Sequence, residues 1–161
     1  MKQKHFIDIQ RLKAEDDELV SGNSDCFRVG DHIQITTKID GSNASIRYDE
    51  ETGKLAAFSR KQELNFNNTL EGFWNYVQTI DSTAYAKESD YVIYGEWLRK
   101  NKVIYEPSAM HKWYVYDIYD VKKAEYKDQE FVKDFCNRHG LLYVNEVYNG
   151  EFVSWEHVKR F

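Results

Sequence analysis

Two runs of large apolar and aromatic residues constrain most strongly what this chain can fold into. They are residues 91–97 (Tyr-Val-Ile-Tyr-Gly-Glu-Trp) and residues 113–119 (Trp-Tyr-Val-Tyr-Asp-Ile-Tyr). Neither run alternates between apolar and polar residues, so each predicts a strand that is covered on both faces. A chain with two such strands is expected to pack helices and further segments against its sheet.

Shorter β-rich segments lie on either side of these runs. Three precede them, at residues 33–39, 44–48 and 55–59, and a fourth follows at residues 141–147. The first two are separated by the turn sequence Asp40-Gly41-Ser42-Asn43. This arrangement predicts an antiparallel meander that begins with a hairpin at the Asp-Gly turn.

Apolar residues at helical spacing predict two amphipathic helices. The first has them at positions 70, 73, 74, 77 and 80 with Thr69 as its N-cap, and the second at positions 131, 132, 135 and 136 with Gly140 at its end. Ser154 is placed to cap a short third helix. We therefore predict a single α+β domain over residues 1–161, mainly antiparallel sheet with packed helices.

The charge and composition limit which functions are open. The formal net charge is −5, whereas general nucleic-acid binders have a basic excess that neutralises phosphates. Contact with nucleic acid is therefore expected to be local, short-lived, or supplied by further sequence. Cys26 and Cys136 stand apart and predict free thiols. No apolar run approaches the ~18 residues of a membrane span and no signal-peptide pattern is present, so we expect a cytoplasmic protein without membrane contact.

The common catalytic motifs do not occur in the sequence. There is no GxxxxGK[ST], GxGxxG, GxSxG or HExxH, and the five histidines are scattered. The most distinctive local sequence is residues 36–43, Thr-Thr-Lys-Ile-Asp-Gly-Ser-Asn. Strand alternation would place Lys38 last on a polar face before the turn, where its amine can meet a phosphorus atom. On these residues alone, an ordinary hairpin with a solvated lysine is the favoured interpretation.

Three further segments connect this element to a known family. The K-x-D-G-S-N sequence resembles motif I of the covalent nucleotidyltransferases, which include DNA ligases, RNA ligases and mRNA capping enzymes. Arg60 matches the family's second-strand arginine, residues 94–97 (Tyr-Gly-Glu-Trp) resemble motif III, and residues 115–118 (Val-Tyr-Asp-Ile) resemble motif IIIa. The elements follow the family order over roughly residues 30–147, and the similarity is closest to the RNA ligase 2-like branch.

The resemblance implies an adenylyltransferase domain with the ATP-grasp-like ligase fold and a role for each matching residue. Lys38 would attack the α-phosphorus of ATP, form lysyl-AMP and release pyrophosphate. Tyr116 would stack on adenine, Glu96 would bind the ribose, and Arg60 would contact the sugar and phosphate.

Six other residues complete the implied site. The nucleotide-binding residues around the lysine are Thr37, Ile39, Asp40, Gly41 and Asn43. In this group the glycine would allow close backbone approach, and the asparagine would orient phosphate in the later steps. Glu96 and Asp117 would be ligands of Mg or Mn.

The sequence departs from the family after motif IIIa. The metal-binding glutamate strand of motif IV and the paired lysines of motif V are not found, since residues 149–153 predict a turn and cap and Lys159 lies on a predicted helix. We therefore expect a fragment, a natural truncation or half of a split enzyme, which a second chain or a C-terminal segment would complete. Alone, it would hold a nucleotide weakly, adenylate itself poorly and leave nicks unsealed.

Three functions stay open at this point. The resemblance implies an ATP-dependent RNA ligase domain that acts on RNA or other polynucleotide ends, for example in RNA repair. The alternative is a catalytically impaired module that binds nucleotides or RNA ends. The third is an interaction domain with a fortuitous hairpin, which would bind no nucleotide. Within the enzyme class, a capping-type variant would use GTP instead of ATP.

Overall fold

The computed structural model describes residues 4–7, 12–15, 18–21 and 26–161. Its strands are β1 (Leu12–Glu15), β2 (Glu18–Ser21), β3 (His32–Thr36), β4 (Ser42–Asp49), β5 (Lys54–Ser59), β6 (Tyr91–Trp97), β7 (Trp113–Asp120), β8 (Glu125–Tyr126), β9 (Leu142–Tyr143) and β10 (Glu146–Glu151). Its α-helices are α1 (Phe73–Gln78), α2 (Gln129–His139) and α3 (Trp155–Val158). No helix in these described ranges is long and apolar enough to cross a membrane.

The chain forms two compact units. The larger comprises Met1–Phe6 and Lys38–Val144, and the smaller comprises Ile7–Thr37 and Asn145–Phe161. Compact units within one chain need not be separate domains, so the single domain over residues 1–161 stays a prediction.

The larger unit is built on a six-stranded sheet. Its strand order is β5-β4-β6-β7-β8 with antiparallel neighbours, and β9 joins β7 in parallel. The predicted strands 91–97 and 113–119 are confirmed as β6 and β7, which lie inside the sheet. With its packed helices, this sheet confirms the predicted α+β class.

Both faces of β6 are covered, as its apolar sequence predicts. On one face Ile93 and Trp97 belong to a buried core that includes Phe73 of α1 and Phe135 of α2. On the other face, residues 4–6 lie against the strand: the Tyr94 hydroxyl donates to the carbonyl of Lys4 at 2.7 Å.

Helix α2 ends at Gly140, as its local sequence predicts, and begins after an N-cap residue that the sequence analysis did not single out. The Asp128 side chain accepts from the backbone N–H of Phe131 at 2.7 Å, and Gly140 ends the helix with a left-handed φ of 64°. The apolar side chains of the helix, including Phe135, face the core. The apolar stripe and the terminal glycine are local signals, which is why the sequence was sufficient to predict this helix and its end.

Helix α1 is shorter than predicted and has a different cap. Leu70 and Glu71 have φ values of 51° and 50°, and Gly72 has 95°. A right-handed helix cannot include left-handed residues, so α1 begins only at Phe73. Thr69 is therefore not the N-cap, although its hydroxyl accepts from the Gly72 N–H at 3.2 Å.

The predicted hairpin between residues 33–39 and 44–48 is wrong. Strand β3 pairs antiparallel with β10, and the Thr37 N–H continues that pairing by donating to the Asn145 carbonyl at 2.8 Å. Strand β4 has no edge left for β3, because β5 and β6 bond it on both sides. In the smaller unit β1 also pairs with β2.

The C-terminal part of the chain differs from the prediction in one further way. The strand predicted over residues 141–147 is divided between β9 and β10, which belong to different sheets. Residues 149–151 lie in β10 rather than in a turn. The short last helix is confirmed, since the Ser154 hydroxyl accepts from the His157 N–H at 3.1 Å. Cys26 and Cys136 are both free thiols.

Candidate nucleotide-binding site

Lys38 lies in the irregular segment that connects β3 to β4. Strand β3 ends at Thr36, so the prediction that Lys38 is the last polar-face residue of a strand over residues 33–39 is wrong. Its side chain is exposed, and it therefore lies in solvent where a substrate can reach it. Ile39, the next residue, is half-buried.

Gly41 brings this segment against the end of β6. Its N–H donates to the Glu96 carboxylate at 3.0 Å. A Cβ at this position would lie 2.4 Å from the Trp97 carbonyl oxygen, so only glycine allows the approach. The family resemblance implies that Gly41 allows close approach of the backbone. In this structure, the group that lies close to Gly41 is the backbone of Trp97 in β6.

The Glu96 carboxyl interacts electrostatically with the charged side chains of Lys38, Asp40 and Arg60. Burial raises the pKa of its carboxyl, and the Gly41 N–H and the positive charges of Lys38 and Arg60 act in the opposite direction. The negative charge of Asp40 raises this pKa further. The structure therefore brings the motif I lysine and the second-strand arginine within electrostatic reach of the motif III glutamate.

Tyr116 is fixed from two sides. Its hydroxyl accepts a hydrogen bond from the Asn43 amide, and its ring packs edge-on against Phe6 with centroids 5.0 Å apart. The β6–β7 register shifts between Tyr94 and Gly95, which leaves Tyr116 without an opposite residue. Burial raises the pKa of the Tyr116 hydroxyl, so the ring is neutral at physiological pH.

Asp117 is a half-buried carboxyl with little to stabilise its charge. Burial raises its pKa to about 7, although the Ile118 N–H donates to it at 3.0 Å. No ion pair with Asp117 is found within the described parts of the chain. Such a group costs stability, and buried carboxyls of this kind concentrate at functional sites.

The two carboxylates proposed as metal ligands fit that role in part. Asp117 pairs with Tyr94 across the sheet, and Glu96 lies two residues further along the same face of β6. Carboxylate oxygens are the donors that Mg and Mn prefer, and Mg usually keeps waters and substrate phosphates as its other ligands. In the described ranges, however, no three acidic, His or Cys side chains come together as a metal cluster.

Asp40 has a structural role that the sequence did not indicate: it forms hydrogen bonds with the loop that follows β6. Its two carboxylate oxygens accept from the Asn101 amide at 2.8 Å and from the Val103 N–H at 3.0 Å. Its own N–H donates to the Tyr105 hydroxyl at 2.8 Å. Asp40 therefore holds the loop that follows β6, and no local signal could have revealed partners about 60 residues away.

The remaining predicted residues have different surroundings. Arg60 is exposed just after β5, and its carbonyl accepts from His5 Nδ1 at 2.7 Å. Thr37 belongs to the smaller unit, where Asn145 bonds both its backbone and its hydroxyl. The sequence did not indicate His5 or Phe6, because a short N-terminal segment has no periodicity that reveals its partner.

Three solved structures illustrate the likeness of this fold to polynucleotide ligases. An archaeal ATP-dependent RNA ligase superposes with a TM-score of 0.68 at 19% identity, over 92% of this chain and 38% of that one. A Naegleria gruberi RNA ligase mutant solved with ATP and Mn gives 0.65 at 17% identity, over 81% and 41%. A putative ATP-dependent DNA ligase from Aquifex aeolicus gives 0.59 at 23% identity, over 86% and 37%.

These likenesses concern the fold, and the chain spans about two fifths of the length of these ligases. No curated protein is significantly similar in sequence. The model of the RNA ligase family, by contrast, matches residues 31–160, which include the motif I segment, Arg60 and both later motifs. That match covers most of the chain, and the fold agrees with it. The chain therefore belongs to the RNA ligase family of the nucleotidyltransferase superfamily.

Proposed function

We propose that this chain is the adenylate-accepting part of an ATP-dependent RNA ligase, with Lys38 as the residue that takes up AMP. The observation that supports this best is the contact between motif I and motif III. The Gly41 N–H bonds Glu96 at 3.0 Å, and Glu96 lies in the field of Lys38 and Arg60. A nucleophile beside groups that bind sugar and phosphate is what nucleotidyl transfer needs.

The reaction proposed for Lys38 is an in-line displacement at phosphorus. The neutral amine attacks the α-phosphorus of ATP, an N–P bond forms, and the bond from the α-phosphorus to the bridging oxygen breaks. Pyrophosphate leaves with that electron pair, and the amine loses its proton to solvent. The exposed position of Lys38 leaves its amine accessible for this attack.

The other residues would hold the nucleotide. The neutral ring of Tyr116, fixed by Asn43 and Phe6, offers adenine a stacking surface. The half-buried Glu96 carboxylate would accept hydrogen bonds from the ribose, and the Arg60 guanidinium would contact the sugar–phosphate side.

Glu96 and Asp117 would hold Mg or Mn together with the phosphates of ATP. When bound, the ion would neutralise charge that develops on the phosphates and the leaving group. Asp117 would then be ionised at neutral pH, because a cation opposes the burial that raises its pKa. Sealing of RNA ends by the whole protein is part of this proposal, since the chain spans about two fifths of the matched ligases.

The test is a covalent adduct. Long incubation with ATP and Mg or Mn should add the mass of one AMP to part of the intact protein, in keeping with the poor self-adenylation expected above, and peptide mapping should place it on Lys38. Lys38→Ala should abolish the adduct, whereas Lys54→Ala, at another exposed lysine, should retain it. An adduct that survives Lys38→Ala would refute the assignment, and labelling by GTP in preference to ATP would indicate capping chemistry.

A second candidate is a nucleotide-binding module without catalysis. It is favoured by the observation that the described residues offer two carboxylates here but no cluster of three metal-binding groups. This candidate predicts saturable ATP binding that Tyr116→Ala weakens, with no adduct under any metal condition.

A further inference from the structure

The segment that follows β6 is a basic loop, residues 99–105, with the sequence Arg-Lys-Asn-Lys-Val-Ile-Tyr. It has three positive side chains and no acidic one, whereas the whole chain has a net charge of −5. In an acidic protein, one short cationic segment is the place where a polyanion is expected to bind.

The basic loop is fastened to the motif I segment through alternate residues. Arg99 donates from Nε to the Ser42 hydroxyl at 2.6 Å, and its guanidinium pairs with Glu71. The next three anchors, at positions 101, 103 and 105, are the partners of Asp40 described above. Asp40 follows Lys38 by two residues, so the loop is attached close to the proposed nucleophile.

The residues between the anchors have no such partners. Lys100 and Lys102 are exposed, and neither forms an ion pair with any other residue that the structure describes. Ile104 has 96% of its surface exposed, so its side chain contributes nothing to the hydrophobic core. The anchored backbone thus presents two uncompensated cations and one apolar side chain, and this surface is ordered before any ligand binds.

We propose that the basic loop binds the backbone of the RNA strand whose end is delivered to Lys38. The inference rests on the proposed function, because it concerns the second substrate of the same site. Lys100 and Lys102 contact successive phosphates, and Ile104 packs against a sugar or base beside them. This local contact explains how an acidic chain can hold a polyanion.

The test compares two matched double variants of the full 161-residue chain. Lys100→Ala/Lys102→Ala removes the cations of the basic loop, and Lys122→Ala/Lys123→Ala removes two exposed lysines from the turn after β7. Binding of a labelled, 5′-phosphorylated single-stranded RNA is measured by fluorescence anisotropy over a range of salt concentrations. AMP-adduct formation is measured on the same samples, without RNA.

The loop variant should bind RNA at least about tenfold more weakly. Its slope of log affinity against log salt should be shallower by about 1.4, because each lost single-strand phosphate contact removes roughly 0.7. The variant at positions 122 and 123 should bind as the wild type does, and both should form the AMP adduct normally.

Wild-type affinity and salt slope in the loop variant would overturn the inference. Equal losses of RNA affinity in both double variants would also overturn it, since they would mean that RNA binding depends only on the total charge of the protein. If the wild type forms the adduct but does not bind RNA, this inference fails while the proposed function stands. If RNA binds through the loop but no adduct forms, the proposed adenylation fails instead.

Discussion

Replacing Asp117 by Asn tests whether this carboxyl is kept at a cost in stability. Burial raises its pKa from 3.8 to about 7 in the folded protein. In the unfolded chain the carboxyl is solvated and ionises near its ordinary pKa of ~3.9. The folded state therefore binds more protons than the unfolded state between about pH 4 and pH 7.

The sign of the effect follows from this difference in bound protons. The folded state loses stability as pH rises from about 4 to 7, and the loss is complete above the folded pKa. The difference between the two pKa values corresponds to about 4 kcal/mol. Solvent relaxation around a half-buried group reduces this figure, so we expect about 1–3 kcal/mol. Asparagine is neutral throughout, and its side-chain oxygen can still accept from the Ile118 N–H.

Urea unfolding at pH 5 and pH 8 measures the effect without added metal. Because about a third of the loss already occurs below pH 5, the wild type should lose roughly 1–2 kcal/mol of unfolding free energy relative to Asp117→Asn between the two pH values. At pH 8 the variant should be the more stable protein. All other titrating groups are common to both proteins and cancel in the comparison. Parallel pH profiles, or a variant that is less stable at pH 8, would refute the argument.

Three substitutions test the remaining residues. Lys38→Ala should change the unfolding free energy by less than ~1 kcal/mol in urea titrations, because the side chain is exposed. Tyr116→Ala should weaken adenine-nucleotide binding about tenfold or more in calorimetry through lost stacking, whereas Tyr116→Phe should bind almost normally. Equal losses for both would show that the hydroxyl bonded to Asn43 matters and stacking does not. Gly41→Ala should destabilise the protein by about 1–3 kcal/mol and so lower its thermal unfolding midpoint, because the added Cβ would lie 2.4 Å from the Trp97 carbonyl oxygen. An unchanged midpoint would contradict this close approach.

Local patterns in the sequence were sufficient for several elements. Strands β6 and β7 follow from two near-continuous apolar and aromatic runs, and α2 follows from its apolar spacing and Gly140 at its end. Each of these signals lies within the element it specifies, so no knowledge of distant partners was required. The order of four short motifs likewise indicated the family that the match over residues 31–160 shows.

The site was only partly accessible to the same reasoning. The sequence singled out Lys38, Glu96, Tyr116 and Asp117 as candidates, and their chemical roles stay predictions. It did not show that Glu96 bonds the Gly41 N–H, because nothing in either segment specifies which strand end meets which turn.

Tertiary structure decided what the sequence left open. The Asp-Gly turn suggested a local hairpin, yet β3 pairs with β10 because β4 is bonded along both edges. The task of Asp40, the fixed ring of Tyr116 and the anchored basic loop likewise depend on partners many residues away. Where secondary structure arises from patterns within a few residues, as in β6, β7 and α2, the sequence alone was enough to predict it. Strand pairing and side-chain bonds between distant segments depend on which edges and polar groups remain available once the whole chain has folded.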